Sequence, residues 1–262
     1  MIPAEYVAAA EEAAALAGAA IRPLFRSALL VEAKGDASPV TEADRAAERA
    51  LRGFLGKRFP DHGILGEEYG AERPDAEWLW VLDPIDGTRA FLTGRPIWGT
   101  LIGLMHRGEP VLGLIDQPVL GERWLGVKGE GTRFNGQPVR TRSCKRLAEA
   151  ELACTAPDMF PEADRAGFEA LRAGARRISW GGDCYLYGLL SLGLLDVVAE
   201  ATLKPWDWAA LVPVVEGAGG SMTGWGGEAL RMGCDGRVLA LGDPTLLDEA
   251  KASLAGGGPR PQ

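Results

Sequence analysis

Two aspartates three residues apart are the first feature of this sequence with evident chemistry. A short apolar run, residues 78–82, leads into the segment Asp83-Pro84-Ile85-Asp86-Gly87-Thr88. An apolar run of this length that ends in Asp-Pro predicts a buried strand meeting a turn, and the proline restricts the backbone between the acids. Two carboxylates at one strand end can point at one position and bind a hard cation there. Taken alone, the pattern also fits a turn that only caps a strand.

The residues after the second aspartate suit the binding of an anion. Gly87 lets the main chain approach a ligand closely, and Thr88 adds a hydroxyl and a backbone N–H. If a helix begins near Gly87, its first N–H groups have no partners within the helix and attract anions. Carboxylates for a cation beside N–H groups for an anion are what metal-assisted phosphate chemistry requires.

The composition limits the partners and metals of such a site. The 262 residues have a formal net charge of −8, which argues against a nucleic-acid partner. Only two histidines are present, and the four cysteines form no CxxC pair, which indicates a reducing compartment. Oxygen ligands without histidine or cysteine favour Mg²⁺ or Mn²⁺ over zinc. The alanine-rich start carries glutamates, so we predict no signal peptide, no membrane contact and a cytoplasmic location.

Helical patterns open the chain. Apolar spacing predicts an amphipathic helix over residues 4–28, disturbed near Pro23, and a polar loop follows at residues 34–39. Thr41 is the predicted N-cap of a second helix that runs to about residue 59. Asp44 lies in the first turn of that helix, so it is either an acid that faces the helix dipole or a site residue.

Strand patterns follow, and they alternate with helices in the second half. In the first half the strand candidates are residues 64–68, 78–82, 98–105, 111–116 and 123–127, with a hairpin at residues 135–136. In the second half, strands at residues 152–155, 175–179, 195–200 and 238–241 alternate with helices at residues 161–171, 184–192, 207–218 and 244–254. We therefore predict a single α/β (α+β) unit over residues 1–262. Its α+β half, two helices on an antiparallel sheet, ends at about residue 145, and its α/β half spans about residues 146–256, with a frayed tail beyond.

Four motifs in this order resemble the inositol monophosphatase superfamily of magnesium-dependent phosphatases. They are Pro39-Val40-Thr41-Glu42-Ala43-Asp44, Gly66-Glu67-Glu68, Asp83-Pro84-Ile85-Asp86-Gly87-Thr88, and Trp206-Asp207 followed by Glu216-Gly217-Ala218-Gly219-Gly220. The resemblance implies a layered αβαβα sandwich, a homodimer and hydrolysis of a small phosphate monoester. Three further segments are similar to the histidinol-phosphatase branch, which acts in histidine biosynthesis: Arg89-Ala90-Phe91-Leu92-Thr93-Gly94-Arg95-Pro96, Gly182-Asp183-Cys184-Tyr185-Leu186-Tyr187 and Leu203-Lys204-Pro205-Trp206-Asp207-Trp208.

The resemblance also implies a role for each site residue. The ligands of two or three Mg²⁺ ions, for which Mn²⁺ is a substitute, would be Glu67, Asp83, Asp86, Asp207 and the backbone carbonyl of Ile85. Four acids around one pocket would repel each other strongly without cations. Glu67 would also orient the attacking water, and Asp44 and Thr88 would form a hydrogen-bonded pair that helps to activate it. The N–H groups of Gly87 and Thr88 would bind the phosphate oxygens.

The second half is expected to select the substrate. By resemblance, Glu200 contacts the leaving group and Asp183 lines the same pocket. Two carboxylates suit the amine and imidazole of L-histidinol phosphate, whereas inositol would require hydroxyl-bonding groups. The structural alternatives are that Glu200 is an exposed acid at a strand end and that Asp183 and Asp207 are helix N-caps.

Two other functions fit the same motifs. One is an inositol 1-monophosphatase or a broad sugar-phosphate phosphatase on the same scaffold. The other is a module that binds metal or phosphate without catalysis. The second is disfavoured because the full set of predicted machinery is present, namely Glu67, Asp83, Asp86, Thr88 and Asp207.

Overall fold

The computed structural model describes residues 2–27, 31–33 and 39–256 of the chain. Its helices are Ala4–Ile21 (α1), Glu42–Arg58 (α2), Thr88–Leu92 (α3), Glu162–Gly174 (α4), Cys184–Ser191 (α5), Pro205–Trp208 (α6), Leu211–Gly217 (α7) and Leu247–Leu254 (α8). The strands of the first half are Val31–Ala33 (β1), Pro39–Thr41 (β2), Gly63–Gly66 (β3), Gly70–Glu72 (β4), Trp78–Asp86 (β5), Gly99–His106 (β6), Glu109–Gln117 (β7), Glu122–Val127 (β8), Gly131–Phe134 (β9) and Gln137–Val139 (β10). Those of the second half are Glu151–Cys154 (β11), Arg177–Trp180 (β12), Val197–Glu200 (β13), Ser221–Thr223 (β14) and Val238–Leu241 (β15).

Two large mixed sheets organise the described part of the chain. The first has the strand order β10-β9-β8-β7-β6-β5-β3-β4, and the second has the order β12-β11-β13-β15-β14. The prediction of an antiparallel sheet for the first half is wrong at one pair, because β3 and β5 run parallel. The short strand β4 pairs with β3 on its other side, so the chain returns to β5 in the direction of β3. The carboxyl ends of β3 and β5 therefore meet at one edge of the sheet.

Five layers of helices and sheets pack through three hydrophobic clusters. Helices α1 and α2 pack on one face of the eight-stranded sheet, in a cluster with Leu51, Trp80 and Ile102. Helices α5 and α7 lie between the two sheets, and α4 and α8 cover the far face of the five-stranded sheet. The predicted αβαβα sandwich is confirmed, and the cluster between the sheets includes residues from both halves of the chain. The boundary near residue 145 and the single unit stay predictions.

Proline sets two helix boundaries that the sequence analysis placed differently. Helix α1 ends at Ile21, earlier than the predicted residue 28, and a 3₁₀ turn that contains Pro23 follows it. The predicted helix over residues 207–218 is two helices, α6 and α7. Pro213 has no N–H to donate to the carbonyl of Ala209, so an unbroken helix would leave that carbonyl without its bond. The break after Trp208 therefore separates α6, which contains Asp207, from α7.

Two glycines let α7 lie unusually close to the first sheet. A Cβ on Gly113 would lie 1.8 Å from the carbonyl oxygen of Ala210, and one on Gly126 would lie 2.3 Å from that of Pro213. Any side chain at either position would push the helix off the sheet. This contact fixes the start of α7 against β7 and β8, which belong to the same sheet as β5 with Asp83 and Asp86.

The remaining predictions are met in the described part of the chain or lie outside it. All four cysteines are free thiols, as expected. None of the helices in the described ranges combines the length and apolar character needed to cross a bilayer. The predicted strands and hairpin are present, and four short strands that were not predicted, β1, β2, β4 and β14, accompany them. The predicted loop at residues 34–39, apart from Pro39, lies outside the described residues. The same holds for the predicted tail beyond Gly256 and for the side chain of Thr41.

Candidate active site

A cavity of about 190 Å³ collects the predicted acids from separate segments of the chain. Nine of the ten predicted site residues line it: Glu67, Asp83, Ile85, Asp86, Gly87, Thr88, Asp183, Glu200 and Asp207. The tenth, Asp44, is fully buried in the first turn of α2 and is not among the lining residues. Its charge raises the pKa of Asp83, so it lies within electrostatic reach of the cavity wall.

A bulge in β5 brings the two aspartates of the central motif to the same side. The register with β6 shifts between Asp83 and Asp86, which would otherwise point to opposite faces of a regular strand. The backbone N–H of Ile85 donates to Oδ1 of Asp83 at 3.0 Å. The hydroxyl of Thr100 donates to the carbonyl of Pro84 at 2.8 Å, which holds the bulge against the neighbouring strand.

Strand β3 delivers Glu67 beside Asp83. Gly66 pairs with Leu82 in the parallel register, and the N–H of Glu67 donates to the carbonyl of Leu82 at 3.2 Å. Each acid is therefore the next residue after a paired position on adjacent parallel strands. This explains how two motifs that are 16 residues apart in the sequence (83 − 67) reach one cavity.

Helix α6 supplies the last acid. Asp207 is the third residue of α6, and its Oδ2 accepts the N–H of Lys204, the residue that caps the helix, at 2.6 Å. The N-cap alternative for Asp207 is therefore wrong. One carboxylate oxygen from each of Asp83, Asp86 and Asp207 lies within 4.8 Å of the others, a spacing that can hold a metal ion. Glu67 lines the same cavity outside that group of three.

The electrostatics of this cluster fit a divalent cation. Burial, and then the charge of Glu67, raise the pKa of Asp83 well above its usual value. Burial and the charge of Asp183 raise the pKa of Asp86 well above its usual range, and burial raises the pKa of Asp207 to about 7 although the Lys204 N–H opposes the shift. A divalent cation would reverse these shifts, because it favours the charged forms. The donor set contains only oxygen, which suits Mg²⁺ or Mn²⁺.

The helix predicted after the aspartates is present. Helix α3 begins at Thr88, and Gly87 precedes it with φ of +91°, a conformation that L-residues rarely adopt. The hydroxyl of Thr88 donates to the carbonyl of Ile85 at 3.1 Å, so it touches the backbone oxygen predicted as a ligand. The pairing of Thr88 with Asp44 stays a prediction.

A second part of the cavity wall carries the two acids predicted to face the leaving group. Glu200 ends β13 and is only 3% exposed, so the alternative of an exposed strand-end acid is wrong. Both of its carboxylate oxygens accept hydrogen bonds, from the N–H of Thr155 and the hydroxyl of Tyr187, each at 2.8 Å. Burial raises the pKa of Glu200.

Asp183 lies beside Glu200 in an unusual backbone conformation. Its φ of 45° and ψ of −134° are rare for a residue with a side chain, and its N–H donates to Oγ1 of Thr155 at 3.0 Å. It occupies the N-cap position of α5, but its side chain makes no capping bond, so capping does not explain the residue. Burial, and then the charge of Glu200, raise its pKa to about 7.

Three wall residues were not identified as site residues from the sequence. Thr155 links Asp183 and Glu200 by hydrogen bonds, and nothing in the sequence around it signals a site. Tyr187 and Cys184 lie in the segment whose resemblance to the histidinol-phosphatase branch was noted, and that was their only signal. The N–H of Cys184 donates to Oδ2 of Asp86 at 2.5 Å, so α5 connects the two walls.

An αβαβα sandwich that gathers buried oxygen ligands and a helix start around one cavity defines the class of metal-dependent phosphatases. Residues 3–255 match the Inositol monophosphatase family, and the chain belongs to that family. It is therefore a metal-dependent phosphatase, and Mg²⁺ is the typical metal of its family.

The chain is similar to curated phosphatases of two kinds. It is 44% identical over 246 residues to the bifunctional phosphatase IMPL2, chloroplastic, of Arabidopsis thaliana, covering 90% of this chain and 71% of that protein. It is 35% identical to a histidinol-phosphatase of Chlorobaculum parvum, with 82% and 83% covered. It is also 33% identical to inositol monophosphatase 3 of Solanum lycopersicum, with 82% and 84% covered.

A solved structure supports the same family. The inositol monophosphatase of Zymomonas mobilis is 49% identical and superposes with a TM-score of 0.89. The alignment covers 96% of this chain and 98% of that protein.

Proposed function

We propose that this protein is a Mg²⁺-dependent histidinol-phosphatase that acts in histidine biosynthesis. The observation that carries the proposal is the pair of buried acids, Asp183 and Glu200, in the same cavity as the metal-site aspartates. An acidic wall suits a leaving group that carries an amine and an imidazole, because opposite charges attract more strongly at buried carboxylates than at exposed ones. Relatives named histidinol-phosphatase at 34–37% identity support the same choice.

The proposed ligands of two or three Mg²⁺ ions are Glu67, Asp83, the carbonyl of Ile85, Asp86 and Asp207. Bound Mg²⁺ ions supply charge neutralisation and lower the pKa of water. The three aspartates, whose oxygens lie within 4.8 Å of one another, hold the centre of the site. Glu67 lies beside Asp83 at the strand edge, where its carboxylate can accept a proton of the attacking water and orient that water.

The turn at Gly87 is proposed to bind the phosphoryl group. The N–H groups of Gly87 and Thr88 open α3 and line the cavity, so they can donate to phosphate oxygens next to the acids. Asp44 is proposed to support Thr88 from the first turn of α2, where its buried charge already acts on Asp83. These residues then bind, orient and move protons without a covalent phosphoenzyme.

The second candidate is inositol 1-monophosphatase. The solved protein of Zymomonas mobilis, which is 49% identical, carries that name. The cavity lining also contains hydroxyl groups, among them those of Thr155, Tyr187 and Thr202, and hydroxyls suit a polyol. The hydroxyl of Tyr187 already donates to Glu200, which leaves it only as an acceptor for a substrate hydroxyl.

A kinetic panel separates the candidates. With Mg²⁺ in excess, we expect histidinol phosphate to give a higher kcat/KM than inositol 1-phosphate, fructose bisphosphate and a 3′,5′-nucleotide. The panel includes an aryl phosphate, which reports on hydrolysis without recognition of the leaving group. If inositol 1-phosphate exceeds histidinol phosphate by about tenfold, or 1.4 kcal/mol, the proposed substrate is wrong while the chemistry stands.

We further propose a single phosphatase unit, a homodimer and a cytoplasmic location. The first follows from the hydrophobic cluster that residues of both sheets share. The homodimer follows only from the family resemblance, and light scattering on the purified chain measures it directly. The cytoplasmic location is supported by the four free thiols, which suit a reducing compartment.

A further inference from the structure

Glu48 is a buried acid that no role described above uses. It lies one helical turn after Asp44 on the inner face of α2, and both residues have no exposed surface. Its Oε2 accepts the N–H of Glu68 at 2.7 Å, and its Oε1 accepts the N–H of Tyr69 at 3.2 Å. The carboxylate therefore holds the backbone of the turn that immediately follows Glu67.

The packing around Glu48 shows that this contact is built closely. A Cβ on Gly66 would lie 2.0 Å from Oε1 of Glu48, so the glycine before Glu67 is required by the approach of this carboxylate. Arg52, one turn further along α2, donates from Nε to the same oxygen at 2.7 Å. Its other end donates to the carbonyl of Gly70. Helix α2 thus holds the segment after Glu67 through the acceptor Glu48 and the donor Arg52.

These bonds fix Glu67 from both sides. Its own N–H donates to Leu82 of β5, and the next N–H, that of Glu68, donates to Glu48 of α2. A backbone held between a strand and a helix leaves the Glu67 side chain few ways to turn from the cavity that it lines. Partners that orient a ligand in this way commonly change metal affinity by about 10- to 100-fold when they are removed.

We propose that Glu48 is a positioning residue that sets metal affinity through Glu67. The proposal rests on the proposed role of Glu67 as a metal ligand. It differs from a purely structural role, in which Glu48 only satisfies buried N–H groups. A structural role would lower the stability of the fold without acting on the metal through one particular residue.

A double-mutant cycle with Mn²⁺ as the probe tests the proposal. Mn²⁺ binding to the full chain is measured by electron paramagnetic resonance for the wild type, Glu48→Gln, Glu67→Gln and the double variant. Glutamine keeps the size of Glu48 and one acceptor oxygen, but its NH₂ group would face a backbone N–H that the carboxylate now accepts. Glu42→Gln is the matched control, because it removes an acid from the exposed start of the same helix. Circular dichroism verifies that each variant is folded.

We expect Glu48→Gln to raise the Mn²⁺ dissociation constant about tenfold in the wild-type background and less than twofold in the Glu67→Gln background. The Mg²⁺ concentration for half-maximal activity should rise similarly, while kcat at saturating Mg²⁺ changes less than threefold and Glu42→Gln changes neither. A dissociation constant that moves less than twofold in the wild type, or equally in both backgrounds, overturns the positioning role. If Glu67→Gln itself leaves Mn²⁺ binding unchanged, the proposed ligand role of Glu67 fails and Glu48 has no ligand to position.

Discussion

The two walls of the cavity differ in the number of their acids and in the hydrogen-bond partners of those acids, with four acids on the metal wall and two on the leaving-group wall. On the metal wall, formed by Glu67, Asp83, Asp86 and Asp207, burial and then the charges of neighbouring acids raise the pKa of the three aspartates. On the leaving-group wall, formed by Thr155, Asp183, Tyr187 and Glu200, both oxygens of Glu200 accept hydrogen bonds from protein donors. Each aspartate of the metal wall accepts a backbone N–H at one oxygen, whereas both oxygens of Glu200 are held by neutral donors.

This difference assigns different work to the two walls. A cluster of buried acids without cations is unfavourable, so its purpose is to bind cations. A buried carboxylate that is already hydrogen-bonded keeps a fixed position and can attract a cationic group without moving. Substitutions on the metal wall should therefore reduce activity on every phosphate ester, and those on the leaving-group wall should change the preference among esters.

The largest expected effect is that of Asp83→Asn. This change removes the negative charge of a proposed metal ligand. It should lower kcat/KM by about 1,000-fold for aryl and histidinol phosphates alike, which corresponds to about 4 kcal/mol of transition-state stabilisation. The same change relieves repulsion in the metal-free protein, so its thermal unfolding temperature in EDTA should not fall.

Asp75→Asn is the control, because it neutralises an exposed aspartate in the turn before β5. Steady-state kinetics and calorimetry measure both effects. A variant Asp83→Asn that keeps more than a tenth of wild-type activity would show that the metal wall does not carry the chemistry. A wild-type chain that shows no turnover above background would instead fit a module that binds metal or phosphate without catalysis.

A second prediction concerns the point where the walls touch. A Cβ on Gly87 would lie 2.9 Å from Oδ2 of Asp183 and 3.1 Å from Cβ of Trp98, and the φ of +91° disfavours any side chain. Gly87→Ala should therefore displace the proposed phosphate-binding turn and Asp183 together, and lower kcat/KM about 100-fold for both esters.

Gly108→Ala separates this effect from backbone strain. Gly108 has φ of +80° in the turn between β6 and β7, and an added Cβ there would meet nothing within 4 Å. We expect a lower unfolding temperature with kinetics within twofold of the wild type. If Gly87→Ala reduces activity on histidinol phosphate alone, the turn serves the leaving-group wall and not phosphate binding.

The sequence predicted the metal wall far better than the leaving-group wall, for a physical reason. Asp83, Asp86 and Gly87 are close in sequence, and a strand, a bulge and a helix start place them through local geometry. Glu67 and Asp207 became predictable through motifs whose order matches the family.

Asp183 and Glu200 were likewise predicted through the resemblance, but Thr155 and the strained backbone of Asp183 depend on contacts between distant segments. The hydrogen bonds of Thr155 to residues 28 and 45 positions later leave no local pattern. The fold shows the same division. Strand spacing predicted the sheets, but the parallel pair β3–β5 and the break between α6 and α7 depend on pairing and on Pro213.

The smallest expected effect, and the sharpest test of the leaving-group wall, is that of Glu200→Gln. The amide can still accept the N–H of Thr155 and donate to the hydroxyl oxygen of Tyr187, so the wall should keep its shape while losing one charge. We expect kcat/KM for histidinol phosphate to fall about tenfold and that for an aryl phosphate less than threefold, since about 1.4 kcal/mol of charge attraction is lost only with the cationic leaving group.

Tyr187→Phe is the matched variant, because it removes a donor to Glu200 and keeps the charge. It should preserve the ratio of the two kcat/KM values, even if both fall because Glu200 is less firmly held. Equal losses on both esters for Glu200→Gln would show that this acid supports the cavity and does not recognise the leaving group. The attraction to a cation would then have to come from Asp183, whose pKa of about 7 makes its charge, and hence the preference for histidinol phosphate, weaken as the pH falls below 7.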